Sequence, residues 1–153
     1  MRHGFIRTAA VTPKIQVADT RANGAETIRL AREAAGKGAK IIVFPELGIT
    51  GYTCSDLFLQ ELLLKSAREE LFRIAKETAD LDALLFVGLP WEKDGKLYNV
   101  AAALCGGHLL GLVPKTYIPN YSEFYEARHF TAAPVGCTSV TWQDGATVPF
   151  GTD

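Results

Sequence analysis

The sequence predicts an α/β fold built around a mixed β-sheet, with its helices on one side. A helical pattern followed by a short apolar strand occurs twice, at residues 20–44 and 64–89. Strands that are separated by a helix pair in parallel. Asp94-Gly95 then carries the signal of a tight hairpin turn, which joins antiparallel strands. Because both kinds of pairing are predicted, the sheet is expected to be mixed.

The first unit starts with a β-branched, apolar stretch at residues 6–17, which predicts an opening strand followed by a loop. Thr20 is expected to be the N-cap of the helix that follows. Apolar residues then recur at helical spacing: Ala25, Ile28, Ala31 and Ala35. Gly36 and Gly38 are expected to end this helix. Residues 41–44 form an unbroken apolar run, typical of a strand that is buried on both faces.

The second unit repeats this order and leads into antiparallel strands. Its helix is predicted from Leu64, Ala67, Leu71, Ile74 and Ala75, and its strand from residues 83–89. The Asp94-Gly95 hairpin should join residues 84–90 to 97–104, and Gly106-Gly107 should turn the chain into a strand at 109–113. Beyond Tyr117 we expect mostly loop. Residues 138–142 predict a strand and 143–146 a turn, with the return strand cut off at Asp153.

Composition excludes several classes of function. The 153 residues are 48% hydrophobic and 22% charged, the balance of one globular domain. With 16 basic and 17 acidic residues and no basic cluster, nucleic acid is not an expected partner. No apolar run approaches the roughly 20 residues that span a bilayer, so we expect no membrane segment. Arg7 lies where a signal peptide would have its apolar centre, so no export signal is recognised. We therefore expect a cytoplasmic location.

Two of the predicted strands end in Pro followed by a charged residue. Pro45-Glu46 follows the strand at 41–44, and Pro114-Lys115 follows the strand at 109–113. In open α/β sheets the ligand crevice lies outside the carboxyl ends of the strands, so both charges are expected at one edge. A carboxylate that accepts a proton and an ammonium that stabilises an oxyanion would then share a pocket. The alternative is a pair of ordinary charges at the solvent boundary.

Two longer motifs contain these residues and resemble a known family. Residues 44–58 read Phe-Pro-Glu-Leu-Gly-Ile-Thr-Gly-Tyr-Thr-Cys-Ser-Asp-Leu-Phe, and residues 114–130 read Pro-Lys-Thr-Tyr-Ile-Pro-Asn-Tyr-Ser-Glu-Phe-Tyr-Glu-Ala-Arg-His-Phe. They resemble the first and second catalytic motifs of the nitrilase, or carbon-nitrogen hydrolase, superfamily. More narrowly, they resemble the amino-terminal glutaminase domain of glutamine-dependent NAD synthetases. The resemblance covers residues 5–130.

The resemblance implies a role for four residues. Glu46 is expected to be the general base for a cysteine thiol, and Lys115 to stabilise the tetrahedral oxyanion formed when the thiolate attacks the side-chain amide of glutamine. Glu126 fits best as a second catalytic glutamate, with Glu123 as the alternative. Tyr121 is expected to contact bound glutamine, or else to be a packed loop aromatic.

No cysteine fits the nucleophile that this chemistry needs. Cys54 lies inside the first motif and Cys105 in a hairpin, so both are expected to be structural thiols. Cys137 alone follows Lys115, as the family order requires, but no apolar strand precedes it. We therefore expect the nucleophile beyond Asp153. The three histidines, His3, His108 and His129, lack the spacing of metal ligands, so no metal site is predicted.

The resemblance also implies a wider context. The family fold is a four-layer α/β/β/α sandwich, and proteins of the family usually assemble into oligomers. This chain would form part of one such sandwich. We expect residues 1–153 to be a partial glutaminase domain, inactive alone, whose partners are L-glutamine and a carboxyl-terminal synthetase domain that uses ATP and Mg²⁺. No cofactor is expected on this chain. Two alternatives are a stand-alone carbon-nitrogen hydrolase acting on another amide and a non-catalytic binding module.

Overall fold

A mixed seven-stranded sheet and two α-helices form the described part of the molecule. The computed structural model describes residues 4–142 and 145–152, so His3 and two residues of the predicted turn, Gln143 and Asp144, lie outside it. The strands are β1 (Thr8–Ala10), β2 (Ile41–Val43), β3 (Leu84–Lys93), β4 (Lys96–Cys105), β5 (His108–Pro114), β6 (Thr138–Thr141) and β7 (Thr147–Phe150). The helices are α1 (Thr20–Gly36) and α2 (Glu61–Glu77). The predicted α/β class is confirmed.

The strand order is β1-β2-β3-β4-β5-β7-β6. β1, β2 and β3 are parallel, as strands joined through helices must be. β3, β4 and β5 are antiparallel neighbours. Asp94 and Gly95 both have positive φ, which is the type I′ geometry of a two-residue hairpin. Because β2 and β5 run in the same direction, their carboxyl ends reach the same edge of the sheet.

Both helices pack against one face of the sheet, where the main core lies. Ile28 and Ala31 of α1 and Leu71 and Ile74 of α2 are buried in the same cluster as the sheet residues that face them. These sheet residues are Ile42, Leu85, Val87, Leu89, Val100, Ala102, Leu104 and Leu112. They alternate with residues on the opposite face, as the period of a strand requires.

Two predictions about local structure were wrong. Asp19, not Thr20, is the N-cap of α1: its side chain accepts a hydrogen bond from the Ala22 backbone N–H, while Thr20 is the first helical residue. The return strand is not cut off, because β7 pairs with β6 on one side and with β5 on the other.

Candidate active site

The carboxyl ends of β2 and β5 place two charged side chains in direct contact. The Nζ atom of Lys115, just after β5, lies 2.7 Å from Oε1 of Glu46, which follows β2. The Lys115 backbone N–H donates to the carbonyl of Asn99 on β4, which extends the ladder by one residue beyond the strand. Parallel alignment of β2 and β5 across the sheet therefore brings together residues that are 69 positions apart.

Glu126 completes the cluster from the loop that follows β5. Both of its carboxylate oxygens lie 3.0 Å from Nζ of Lys115, and the Tyr52 hydroxyl donates to Oε1 at 2.6 Å. The Glu126 side chain is 6% exposed, whereas that of Glu46 is 42% exposed. Glu123 is exposed and makes no hydrogen bond to Lys115. Of the two alternatives, the geometry therefore pairs Glu126 with the lysine.

The electrostatics of the cluster keep Lys115 charged. Burial alone would lower the pKa of the Lys115 ammonium, but its hydrogen bonds to Glu46 and Glu126 outweigh burial and raise that pKa above its usual value. Burial and the bond to Glu126 raise the pKa of the Tyr52 phenol. At neutral pH the site therefore holds an ammonium between two carboxyl groups, with a neutral phenol that donates a hydrogen bond.

The segment that carries Glu46 follows a tight path over β3. Leu47 has a positive φ of 51° although it is fully buried, and the Gly48 and Gly51 N–H groups turn back onto the Pro45 and Leu47 carbonyls. A Cβ atom at Gly88 of β3 would lie 2.5 Å from both the Leu47 nitrogen and the Pro45 carbonyl oxygen. The absence of a side chain at position 88 is therefore what lets this segment lie on the sheet.

A small second core and an ion pair join the two loops of the site. Phe58, from the short 3₁₀ helix Ser55–Leu59, packs edge-on against Phe130 with ring centroids 5.0 Å apart. Asp56 accepts two hydrogen bonds from Arg128 and lies 3.1 Å from Nε2 of His129. Arg128 ends the 3₁₀ turn that begins with Glu126. The first loop therefore fixes the position of the buried carboxylate in the second.

Two depressions lie at this edge of the sheet, and Glu126 lines the first of them. The first has a volume of about 310 Å³ and is lined by Tyr52, Phe58, Glu123, Tyr125 and His129. The other lies beside Glu46, Lys115 and Asn99 and opens onto the sheet. Tyr121 lines neither one; it is 67% exposed, and its ring contacts Phe124. The structure therefore does not bring Tyr121 to the charged cluster.

Comparison with known proteins identifies the family. Residues 7–152 match the family described as carbon-nitrogen hydrolase. The chain belongs to the carbon-nitrogen hydrolase family. The resemblance drawn from the two motifs is thereby confirmed, and it extends beyond residue 130 to nearly the whole chain.

Relatives within this carbon-nitrogen hydrolase family include several much longer proteins. The chain is 40% identical over 152 residues to the glutamine-dependent NAD(+) synthetase of Mycobacterium tuberculosis, covering 99% of this chain and 22% of that protein. The chain thus spans about a fifth of that relative. The solved glutamine-dependent NAD(+) synthetase of Cytophaga hutchinsonii superimposes with a TM-score of 0.89 at 31% identity, over 95% of this chain and 25% of that one. An amidase from Nesterenkonia sp., 22% identical, shares the fold with a TM-score of 0.74 over 97% of this chain and 56% of its own.

The thiols of this carbon-nitrogen hydrolase lie away from the charged cluster. Cys54 is buried, donates to the Thr50 carbonyl, and has a pKa raised by burial. Cys105 ends β4, six residues and about 20 Å along the strand from Asn99. Cys137 is exposed and bonds only to the Thr138 carbonyl. In the part of the chain that the structure describes, no thiol contacts Glu46, Lys115 or Glu126, so a nucleophile beyond Asp153 stays a prediction.

Sequence reasoning missed Tyr52 and Asn99 as members of the site. Tyr52 lies within the first motif but was not assigned a contact, and Asn99 lies in neither motif. β5 begins at His108, one residue before the predicted start of this strand. Within residues 4–142 and 145–152, no group of three or more His, Cys, Asp or Glu side chains is placed to bind a metal ion, and neither helix is long and apolar enough to cross a bilayer.

Proposed function

We propose that this chain is the amino-terminal part of a glutaminase domain, which hydrolyses L-glutamine to glutamate and ammonia within a glutamine-dependent NAD synthetase. The contact of Lys115 with Glu46 and Glu126 at the carboxyl edge of the sheet carries the proposal. The 40% identity with the Mycobacterium tuberculosis enzyme over nearly the whole chain supports the substrate.

The geometry suits acyl transfer through a thiolate. Glu46 is the more exposed carboxylate and takes the proton from the incoming thiol. Lys115, held as an ammonium, then stabilises the negative charge that forms on the amide oxygen when the thiolate attacks. Glu126 is buried and holds Lys115 in place. Glu46 returns the proton to the amide nitrogen, so that ammonia leaves as the thioester forms. In a second step Glu46 takes a proton from water, which attacks the thioester and releases glutamate while the proton goes back to the thiolate.

The remaining parts of the proposal concern the rest of the enzyme. The nucleophilic cysteine lies beyond Asp153, and the ammonia passes to a carboxyl-terminal domain of the same protein. There, ATP with Mg²⁺ adenylates nicotinic acid adenine dinucleotide, which ammonia converts to NAD. We further propose that the protein is a homo-oligomer of the cytoplasm, where its ATP is supplied. Tyr121 is proposed to reach glutamine only when the rest of the domain is present.

Substitution of the base in the complete encoded protein tests this proposal. Glu46→Gln should lower kcat for ammonia release from glutamine by about 10²–10⁴-fold, the usual contribution of a general base. NAD formation from ammonium chloride should persist, because free ammonia bypasses the glutaminase step. Glu69→Gln, which changes an exposed carboxylate on α2, is the matched control and should leave both reactions unchanged.

Two outcomes would overturn the proposal. Unchanged glutaminase activity in Glu46→Gln would show that Glu46 is not the general base. Hydrolysis of another amide but not of glutamine would favour a stand-alone carbon-nitrogen hydrolase.

Residues 1–153 alone should release no ammonia from glutamine. Turnover by that chain which disappeared in Cys137→Ala would show that the nucleophile had been misplaced.

A further inference from the structure

Asn99 on β4 contacts both Glu46 and Lys115. It is 4% exposed. Its side-chain amide donates a hydrogen bond to Oε1 of Glu46, and its backbone carbonyl accepts the Lys115 N–H at 2.8 Å. Asn99 therefore fixes the carboxylate through its side chain and the start of the lysine loop through its main chain.

The two donors to Glu46 converge on one of its oxygens. Oε1 accepts from Nδ2 of Asn99 and from Nζ of Lys115, whereas Oε2 accepts no hydrogen bond from any described residue. The two donors therefore hold one oxygen of the carboxylate and leave the other without a donor. An oxygen without a donor is the one that can receive a proton.

We propose that Asn99 is a positioning residue for the amide hydrolysis, an inference that rests on the proposed function. Asn99 orients Glu46 so that Oε2 faces the nucleophilic thiol. The amide does not titrate, so it neither accepts nor supplies the proton. Burial makes the contact obligatory for Asn99, because a buried amide without a partner is costly and Glu46 is the partner of its N–H group.

Three variants of the complete enzyme test this role. Asn99→Ser shortens the donor, and Asn99→Asp keeps the shape but replaces the donor with a carboxylate oxygen. Both should lower kcat for glutamine by about ten- to hundredfold, with KM changed by less than about twofold, because orientation of the base affects the chemical step rather than binding. In Asn99→Asp, kcat relative to wild type should rise as the pH falls, because the introduced carboxyl can donate once it is protonated. Thr78→Val, which removes a buried hydroxyl directly after the carboxyl end of α2, should leave kcat unchanged.

A double variant distinguishes a positioning role of Asn99 from a general loss of native structure. If Asn99 acts only through Glu46, Glu46→Gln/Asn99→Asp should have the same low kcat as Glu46→Gln alone. All rates are measured below the lowest melting temperature of the set. An additive loss in the double variant, or an unchanged kcat in both single Asn99 variants, would overturn the role of Asn99. Full activity of Glu46→Gln would instead overturn the proposed function.

Discussion

A lysine between two carboxylates is the central electrostatic feature at the scale of single residues. Its hydrogen bonds to Glu46 and Glu126 raise the pKa of Lys115 despite burial. Lys115 therefore stays an ammonium through the neutral range, which suits oxyanion stabilisation and excludes a role as a base. Glu126, which is 6% exposed, depends on Lys115 and Tyr52 for compensation of its charge.

Asn23 is a buried side chain that supports the site from α1. Its amide donates to the carbonyls of Gln16 and Ile49 and accepts the Gln16 N–H at 2.8 Å. We expect Asn23→Ala to reduce the free energy of unfolding by roughly 1–3 kcal/mol, because it leaves buried backbone groups without partners. Urea unfolding measures this loss. Asn120→Ala, at an exposed loop position, is the control, and an equal loss in both variants would contradict the role of Asn23.

The sequence predicted some site residues and not others for a physical reason. Glu46 and Lys115 could be found because each directly follows an apolar strand, and strand ends of the same direction share an edge. The contact of Asn99 depends on the register of β3, β4 and β5, which pairs Asn99 with Pro90 and places Val100 opposite Pro114. That register depends on packing across three strands, and no local sequence pattern specifies it.

At the scale of elements, β3 supports the Glu46 segment only because position 88 lacks a side chain. A Cβ atom there would lie 2.5 Å from backbone atoms of Pro45 and Leu47. Gly88→Ala should lower the free energy of unfolding by about 1–3 kcal/mol and reduce the proposed glutaminase activity of the complete protein, because the segment must move. Chemical denaturation and ammonia release measure the two effects.

Gly36→Ala is the matched control for this substitution. Nothing lies within 4 Å of a Cβ atom at Gly36, the last residue of α1. This variant should be neutral or slightly stabilised, since alanine restricts the unfolded chain. If Gly88→Ala were as stable and active as Gly36→Ala, the close approach of β3 to the Glu46 segment would have no effect on stability or activity.

The two loops of the site are joined by an ion pair whose effect depends on pH. Hydrogen bonds from Arg128 and then from His129 lower the pKa of Asp56 to about 2. Because this value is below that of the unfolded chain, the pair stabilises the fold above about pH 4 and loses its effect as the pH falls toward 2. Asp56→Asn should therefore be less stable than wild type at pH 7, and the two should converge near pH 2.

Urea midpoints at several pH values test the Asp56 prediction. Asp94→Asn, in the exposed β3–β4 turn, controls for removal of one negative charge. A difference between Asp56→Asn and wild type that stayed constant down to pH 2 would show that the carboxylate is not the stabilising group. Loss of activity in the complete protein should accompany the loss of stability, because Asp56 holds the turn that carries Glu126.

Tight turns, helices and β6 were predicted well, while the last strand, β7, was not. Asp94-Gly95 and the apolar spacing of α2 are local signals, and both elements form where they were expected. β7 contains Pro149 and only four residues, so its identity as a strand comes from pairing with β5 and β6 rather than from its own sequence. Non-local pairing of this kind cannot be inferred from a single short segment.

At the scale of the whole molecule, the sheet has one covered face and one open face. The helices cover the face that contains Leu85 and Ala102. On the opposite side, the strand register aligns two rows of small and apolar residues, which we call the open face: Val43, Phe86, Ala103 and Gly111 in one row, and Ala101 and Val113 in the other. Val43 is 43% exposed and Val113 is 47% exposed. The charged cluster lies at the rim of this face.

An apolar sheet face that continues over several strands should be buried in a stable molecule. We expect the 153-residue chain in isolation to self-associate through its open face, since a second copy presents the same apolar surface. Sedimentation equilibrium should give a mass above the 16.6 kDa of one chain. Val113→Lys should shift the chain toward the monomer, because association would bury the new ammonium. Leu62→Lys, which changes an exposed apolar residue on α2, should leave the mass unchanged. A clean monomer for the unsubstituted chain, or equal dissociation by both variants, would mean that the open face is not the surface through which copies associate.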